Sequence, residues 1–173
     1  YECDTLLLSV GLIPENELSK GADVKLDPIT GGPVVNESME TTVRGVFACG
    51  NVVHVHDLVD YVTEESRTAG RNAARFVNGE AGGYGPVIRT KPGNGIRYIV
   101  PHFIRRDKVE RSVDLFMRVD RIFTDKKLVV KSGDIVIRAI NKAYMRPGEM
   151  ERINITAESL KAAENLSLTI DVE

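Results

Sequence analysis

The sequence predicts an α/β segment followed by a small antiparallel β sandwich or barrel. Three observations carry that expectation. Residues 1–80 hold short apolar runs bounded by turn residues, then one long helical pattern. Residues 81–95 form a linker rich in glycine and proline. From residue 96 to 173 apolar residues alternate with polar ones in six or so short runs, the period of half-buried strands.

In chain order, Thr5 to Val10 reads as a buried strand that stops at Gly11, and Gly11-Leu12-Ile13-Pro14 breaks it. Val24-Lys25-Leu26 and Pro33-Val34-Val35 flank Asp27-Pro28-Ile29-Thr30-Gly31-Gly32, which is turn chemistry between two short strands. Val46 to Cys49 reads as a further strand. A helix is expected from about Leu58 to Val77, with Asp57 as N-cap and Asp60 completing a variant capping box. Leu58, Val62, Ala69, Ala73 and Phe76 or Val77 would form its buried stripe, and Gly70 reads as a point of close packing against a sheet. Strands are then expected over Ile96 to Val100, Val113 to Val119, Leu128 to Val130, Ile135 to Ala139, Ile153 to Ile155 and Leu166 to Val172, with a short helix over Glu158 to Glu164.

Composition narrows the function classes. Of 173 residues, 42% are hydrophobic and 28% charged, which suits a globular protein. The formal net charge is only −2, which argues against nucleic acid as a partner. The charge is uneven: residues 1–80 carry 6 Lys and Arg against 13 Asp and Glu, and the remainder 17 against 12. Arg89, Lys91, Arg97, Arg105, Arg106, Lys108 and Arg111 cluster at the junction, either as a solvated face or as a surface docking onto the acidic first segment or a partner subunit. Two cysteines, Cys3 and Cys49, suggest reduced thiols with packing roles and a cytoplasmic location. No apolar run approaches the roughly 20 residues of a membrane span. The opening without Met, directly into an apolar run, suggests a fragment of a longer protein.

The candidate site lies at Cys49-Gly50-Asn51, where a strand would end on a glycine just before a helix. Unsatisfied N–H groups and partial positive charge at a helix start suit a group that carries or develops negative charge. A plain α/β turn has the same pattern, so both readings stand. His54 and His56 lie two apart beside Asp57. Metal ligation, a proton-donor or substrate role, and ordinary loop histidines are all open, but with no third ligand nearby no metal is expected.

Thr42-x-x-x-x-Phe47-Ala48-Cys49-Gly50-Asn51, counting from Thr41 or Thr42, resembles the T-x-x-x-G-[VIL]-[FY]-A-x-G-D signature of the pyridine nucleotide-disulphide oxidoreductases, FAD-dependent and NAD(P)H-linked flavoproteins. Asp4 to Pro14 resembles the strand and G-x-x-P turn at which that family's NAD(P)H domain returns to its FAD domain. Pro33 to Asn36 and Met39 to Thr41 resemble the segment before the signature. The resemblance covers residues 3 to 78 and implies the C-terminal part of a Rossmann-like FAD domain. It implies cofactor contacts from Gly11, Gly50 and Asn51, and from backbone N–H groups of Asp57, Leu58 and Val59 at the pyrimidine edge of the flavin, with His56 as a catalytic candidate. Asn51 replaces the family's acidic residue, and the His54-Val55-His56-Asp57 entry is longer and more polar. The nearer resemblance is to bacterial FAD-dependent oxidoreductases that partner glycerol-3-phosphate dehydrogenase-like proteins.

Neither G-x-G-x-x-G loop for FAD or NAD(P)H occurs in this sequence, so the chain alone is expected to be inactive and to hold FAD weakly. The expected partners are the remainder of its own chain, a partner oxidoreductase subunit or a second copy. The competing reading is a non-catalytic interaction module whose β unit binds a partner.

Overall fold

The computed structural model describes residues 2–8, 11–80, 86–161, 163 and 166–173. Ser9 and Val10, the segment 81–85, and residues 162, 164 and 165 lie outside the described residues, and with them parts of the predicted first strand, linker and last helix.

The elements run α1 (Glu17–Gly21), a 3-10 turn (Gly50–Val52), α2 (Val59–Val77), β1 (Val87–Pro92), β2 (Ile96–Val100), β3 (Phe103–Arg105), a second 3-10 turn (Arg106–Lys108), β4 (Ser112–Val119), β5 (Phe123–Ser132), β6 (Ile135–Met145), β7 (Glu151–Thr156), α3 (Ala157–Lys161) and β8 (Ser167–Val172). Residues 86–173 build two sheets, one ordered β3-β1-β8-β5-β6 and one ordered β2-β4-β7. Alternation decides which side chains go inward. In β7 and β8 every second residue is buried, and Leu115, Met117, Leu128, Val130, Ile153 and Ile170 from both sheets meet in one apolar core.

The expectation of an all-antiparallel β unit needs one correction. β1 and β8 pair in parallel, Arg89 opposite Ser167 and Lys91 opposite Thr169, while the other pairings are antiparallel. β1 falls within residues 81–95, read from the sequence as linker. Its run Val-Ile-Arg-Thr-Lys-Pro buries only Ile88 and Thr90, so it lacks an obvious strand signature. Its partner β8 lies at the far end of the sequence, beyond the reach of local periodicity.

The first segment is less regular than its apolar runs suggest. Residues 2–8 have no strand pairing, and Leu6, Leu7 and Leu8 are exposed. An apolar run becomes a strand only where a neighbouring strand satisfies its N–H and C=O groups, and the described residues offer this one no such neighbour. Val46 to Cys49 is likewise half-buried, with a single bridge between Phe47 and Glu40. The Asp27 turn forms as expected: Leu26 bridges Pro33, and Asp27 Oδ1 accepts from the Ile29 and Thr30 N–H groups. At Gly32 a Cβ would overlap the Val53 carbonyl, so the turn packs directly on the backbone that leads to the histidines.

A smaller core of Val35, Met39, Val53, Ala69, Tyr98 and Val100 joins this segment and α2 to β2. Charged contacts reinforce the junction. Arg105 reaches Glu37, Ser38 and Glu40, Arg75 reaches Glu110, and Arg152 reaches Glu64. The docking reading of the basic cluster therefore holds for Arg105. No helix among the described residues is long and apolar enough to cross a membrane.

Candidate functional site

Gly50 takes φ +70, a left-handed value that glycine accepts without cost, and a Cβ there would press on Val62 Cγ1 at 3.1 Å. The 3-10 turn closes through the Val53 N–H donating to Gly50 O at 2.9 Å. Asn51 is exposed, and its Oδ1 accepts from the His56 N–H at 3.1 Å, which shapes the loop into α2. Arg118 of β4 donates to Val55 O at 3.0 Å and fixes the same loop from the other side.

The predicted capping box does not form. Leu58 is the N-cap of α2 and supplies no side-chain acceptor. Asp57 is engaged elsewhere: its Oδ2 accepts from the Met150 N–H at 3.0 Å, and its Oδ1 lies 3.7 Å from Arg118 Nη2. The first-turn N–H groups of α2 are thus left without a side-chain cap, and Leu58 and Val59 beside them are exposed. The predicted apolar stripe is narrower than expected. Leu58 and Val77 are exposed, Ala69 is buried, and Gly70 faces open space instead of a sheet.

The inner face of α2 carries a residue absent from that stripe. Glu65, one turn from Ala69, is buried with His54 and His56. Glu65 Oε1 lies 2.7 Å from His54 Nε2, and Oε2 accepts from the Gly50 N–H at 2.8 Å and lies 3.0 Å from His56 Nε2. The His56 contact lacks hydrogen-bond direction, and His54 Nδ1 and both nitrogens of His56 have no hydrogen-bond partner among the described residues. Tyr98 and Phe116 face the rings edge-on, and the His54 and His56 centroids are 4.3 Å apart.

Burial alone would raise the Glu65 carboxyl, but the His54 hydrogen bond and the close approach of the two imidazoles outweigh it and hold it at about 2. Burial lowers His54 below its ordinary value, against the opposing pull of Glu65. A neutral His54 donating from Nε2 to an ionised Glu65 satisfies both shifts. His56, the predicted catalytic residue, has a side chain only 1% exposed and offers no surface to a substrate.

Gly11 lies apart from this chemistry in kind: it sits in an exposed irregular stretch with φ +113 and open space where a Cβ would stand. Cys49 is half-buried with Sγ 3.6 Å from Ser66 Oγ, and Cys3 is exposed, so a buried packing role fits neither thiol fully. A cleft of about 740 Å³ opens between α2 and the second 3-10 turn, lined by mixed charges such as Arg71, Arg75, Glu80 and Lys108, and contains none of the predicted cofactor residues.

With this geometry the comparison with known proteins is informative. Residues 1–75 match the pyridine nucleotide-disulphide oxidoreductase family. The match spans the Gly50 turn and nearly all of α2, and leaves the β unit outside it. The chain is also 32% identical over 85 residues to a ferredoxin--NADP reductase of Leuconostoc mesenteroides. That alignment covers 47% of this chain and 25% of the reductase, so the chain spans about a quarter of the relative's length. No solved structure matches. The first segment therefore carries the sequence pattern of the pyridine nucleotide-disulphide oxidoreductases, as its signature suggested.

Proposed function

We propose that this chain supplies the flavin-ring end of the FAD site of an NAD(P)-linked oxidoreductase, with the β unit serving docking or assembly. The observation that carries this reading is the uncapped start of α2. Its N–H groups and the positive end of its dipole open beside exposed Leu58 and Val59, directly after the Gly50-Asn51 turn of the matched segment. These residues fit the planar, partly anionic edge of a flavin. They do not fit its phosphates, since the sequence has no glycine-rich phosphate loop. Bound flavin would supply hydride and electron transfer, the chemistry no side chain here provides.

In this reading the chain's own groups position and polarise. Backbone N–H groups at Leu58 and Val59 face the flavin edge, and Asn51, its Oδ1 already engaged by His56, offers its amide N–H to a hydroxyl. The exposed row Leu6, Leu7, Leu8, Leu12 and Ile13 supports a further part of the enzyme covering this segment. The nicotinamide cofactor, and a partner of the glycerol-3-phosphate dehydrogenase type, belong to the same proposal.

Titration of the chain with FMN and with FAD, followed by flavin fluorescence, tests it. Weak saturable binding of similar strength for the two flavins is expected, because only the ring end is held. Val59→Glu should weaken both, since a carboxylate in the first turn competes for the same N–H groups without disturbing the helix. Absence of saturation at millimolar flavin, or a Val59→Glu variant that binds like the wild type, would exclude the helix mouth as a flavin site.

A further inference from the structure

We propose that His54, His56 and Glu65 form a buried site for one divalent transition-metal ion of the zinc type. Sequence alone pairs only the two histidines; the fold brings Glu65 of α2 beneath them, and the three candidate ligand atoms lie within 4.8 Å of one another.

Unmet bonding capacity is the first argument. A neutral imidazole carries one N–H donor and one lone pair, and each is costly to bury without a partner. His54 satisfies one nitrogen through Glu65, while His56 satisfies neither, its Nε2 lying 3.0 Å from Glu65 Oε2 without hydrogen-bond direction. The rings lie edge-on to Phe116 and Tyr98, and no side chain of the described residues other than Glu65 comes near these nitrogens with a polar atom that an ion could replace. Two inward imidazoles around one ionised carboxylate are the donor set of a zinc or other first-row site.

Geometry is the second. Metal–nitrogen and metal–oxygen bonds of about 2.0–2.2 Å place neighbouring ligand atoms of a tetrahedral ion roughly 3.3 Å apart. The 2.7 Å contact of His54 Nε2 with Oε1 needs to open by about half an ångström, and the wider separations, up to 4.8 Å, need to close, both by side-chain adjustment. The ion would take the place of the proton on His54 Nε2, which would move to Nδ1 so that the ring stays neutral. Gly50 N–H already orients Glu65 through Oε2, the supporting bond that metal-binding carboxylates use, and leaves Oε1 for the ion.

Access is the third. Glu65, though neither histidine, lines a cavity of about 110 Å³ together with Glu64, Asp114 and Phe116, which has room for water beside the carboxylate. Glu64 and Asp114 both pair with Arg152, so two carboxylates share one cation on the approach and the local charge favours an entering metal.

The purified chain, stripped with chelator and passed over a desalting column, would be titrated with Co2+ and analysed for bound metal. One equivalent of Co2+ per chain should survive gel filtration, with the strong visible bands of a four-coordinate ion, and Zn2+ should abolish them. Retention should fall to background in His56→Gln and Glu65→Gln. A wild type that retains no metal overturns the site, and so does equal retention by wild type and variants. The wild-type arm decides even if a variant fails to fold.

Discussion

The core between the two sheets is filled by aliphatic side chains, whereas the smaller core beneath α2 shares its space with two imidazoles and a carboxylate. Leu115, Met117, Leu128 and Ile170 need only complementary volume, and alternation along the strands delivers them inward. Val35, Val53, Ala69 and Val100 pack beside His54, His56 and Glu65, whose burial is favourable only while each polar atom finds a partner. The difference teaches where stability and chemistry reside. The β unit is held by non-directional burial, and the junction by directional contacts fixed to a few named atoms.

The sharpest way to break the comparison is a cavity in the aliphatic core. Leu115 is fully buried at the centre of β4, between β2 and β7. Leu115→Ala should cost about 2–5 kcal/mol, read as a lower denaturant midpoint at unchanged slope. A loss under 1 kcal/mol would mean that the sheets close over the gap, and that packing there is looser than described.

Arg105 probes the junction. Its Nε donates to Glu37 at 2.9 Å, its Nη1 to Glu40 at 3.0 Å and its Nη2 to Ser38 at 2.6 Å, all from a guanidinium mostly shielded from water. Arg105→Ala should cost about 1–3 kcal/mol, and Arg105→Lys should restore little because one ammonium cannot replace the fork. The variant should also expose residues 36–40 to proteolysis before the β unit unfolds. Cleavage of both regions at the same rate would show that the junction is not a separate point of weakness.

How much of this was legible beforehand follows the same division. β7 was readable because it alternates throughout, and β2 and β4 because apolar residues dominate short runs bounded by turn residues. β1 and β3 were not, since one mixes charged residues with a terminal proline and the other has three residues. The glycine turn before α2 was readable from Gly50 and the helical period, and the family pattern was readable from the signature around it. The cap was not, because Asp57 has the right chemistry for capping and is taken instead by Met150 N–H and Arg118, contacts made across the fold. Glu65 carries a signal of its own: it falls three residues after Val62 and four before Ala69, a charged residue inside an apolar stripe. Such a position calls for a buried partner, and the histidines preceding the helix were the candidates.

The smallest expected effect is a pH dependence at the junction that the aliphatic core cannot produce. His102 Nδ1 accepts from the Val35 N–H at 3.2 Å, and its Nε2 lies 3.6 Å from Asp27 Oδ2. Burial pushes its pKa below the ordinary value; the Asp27 carboxylate opposes that shift, while Arg89 and His54 add to it. The unfolded chain therefore takes up a proton near pH 6.5 that the folded chain refuses until lower pH. Where the unfolded state binds more protons, stability rises with pH. His102 thus contributes stability that is present above about pH 6.5 and lost as the pH falls towards its lower folded value. His54 has the same sign, so the contribution is read as a difference: His102→Gln should lose stability less steeply than wild type on acidification. Parallel curves for the two proteins would mean that His102 takes its proton as readily folded as unfolded, and that burial does not hold it neutral.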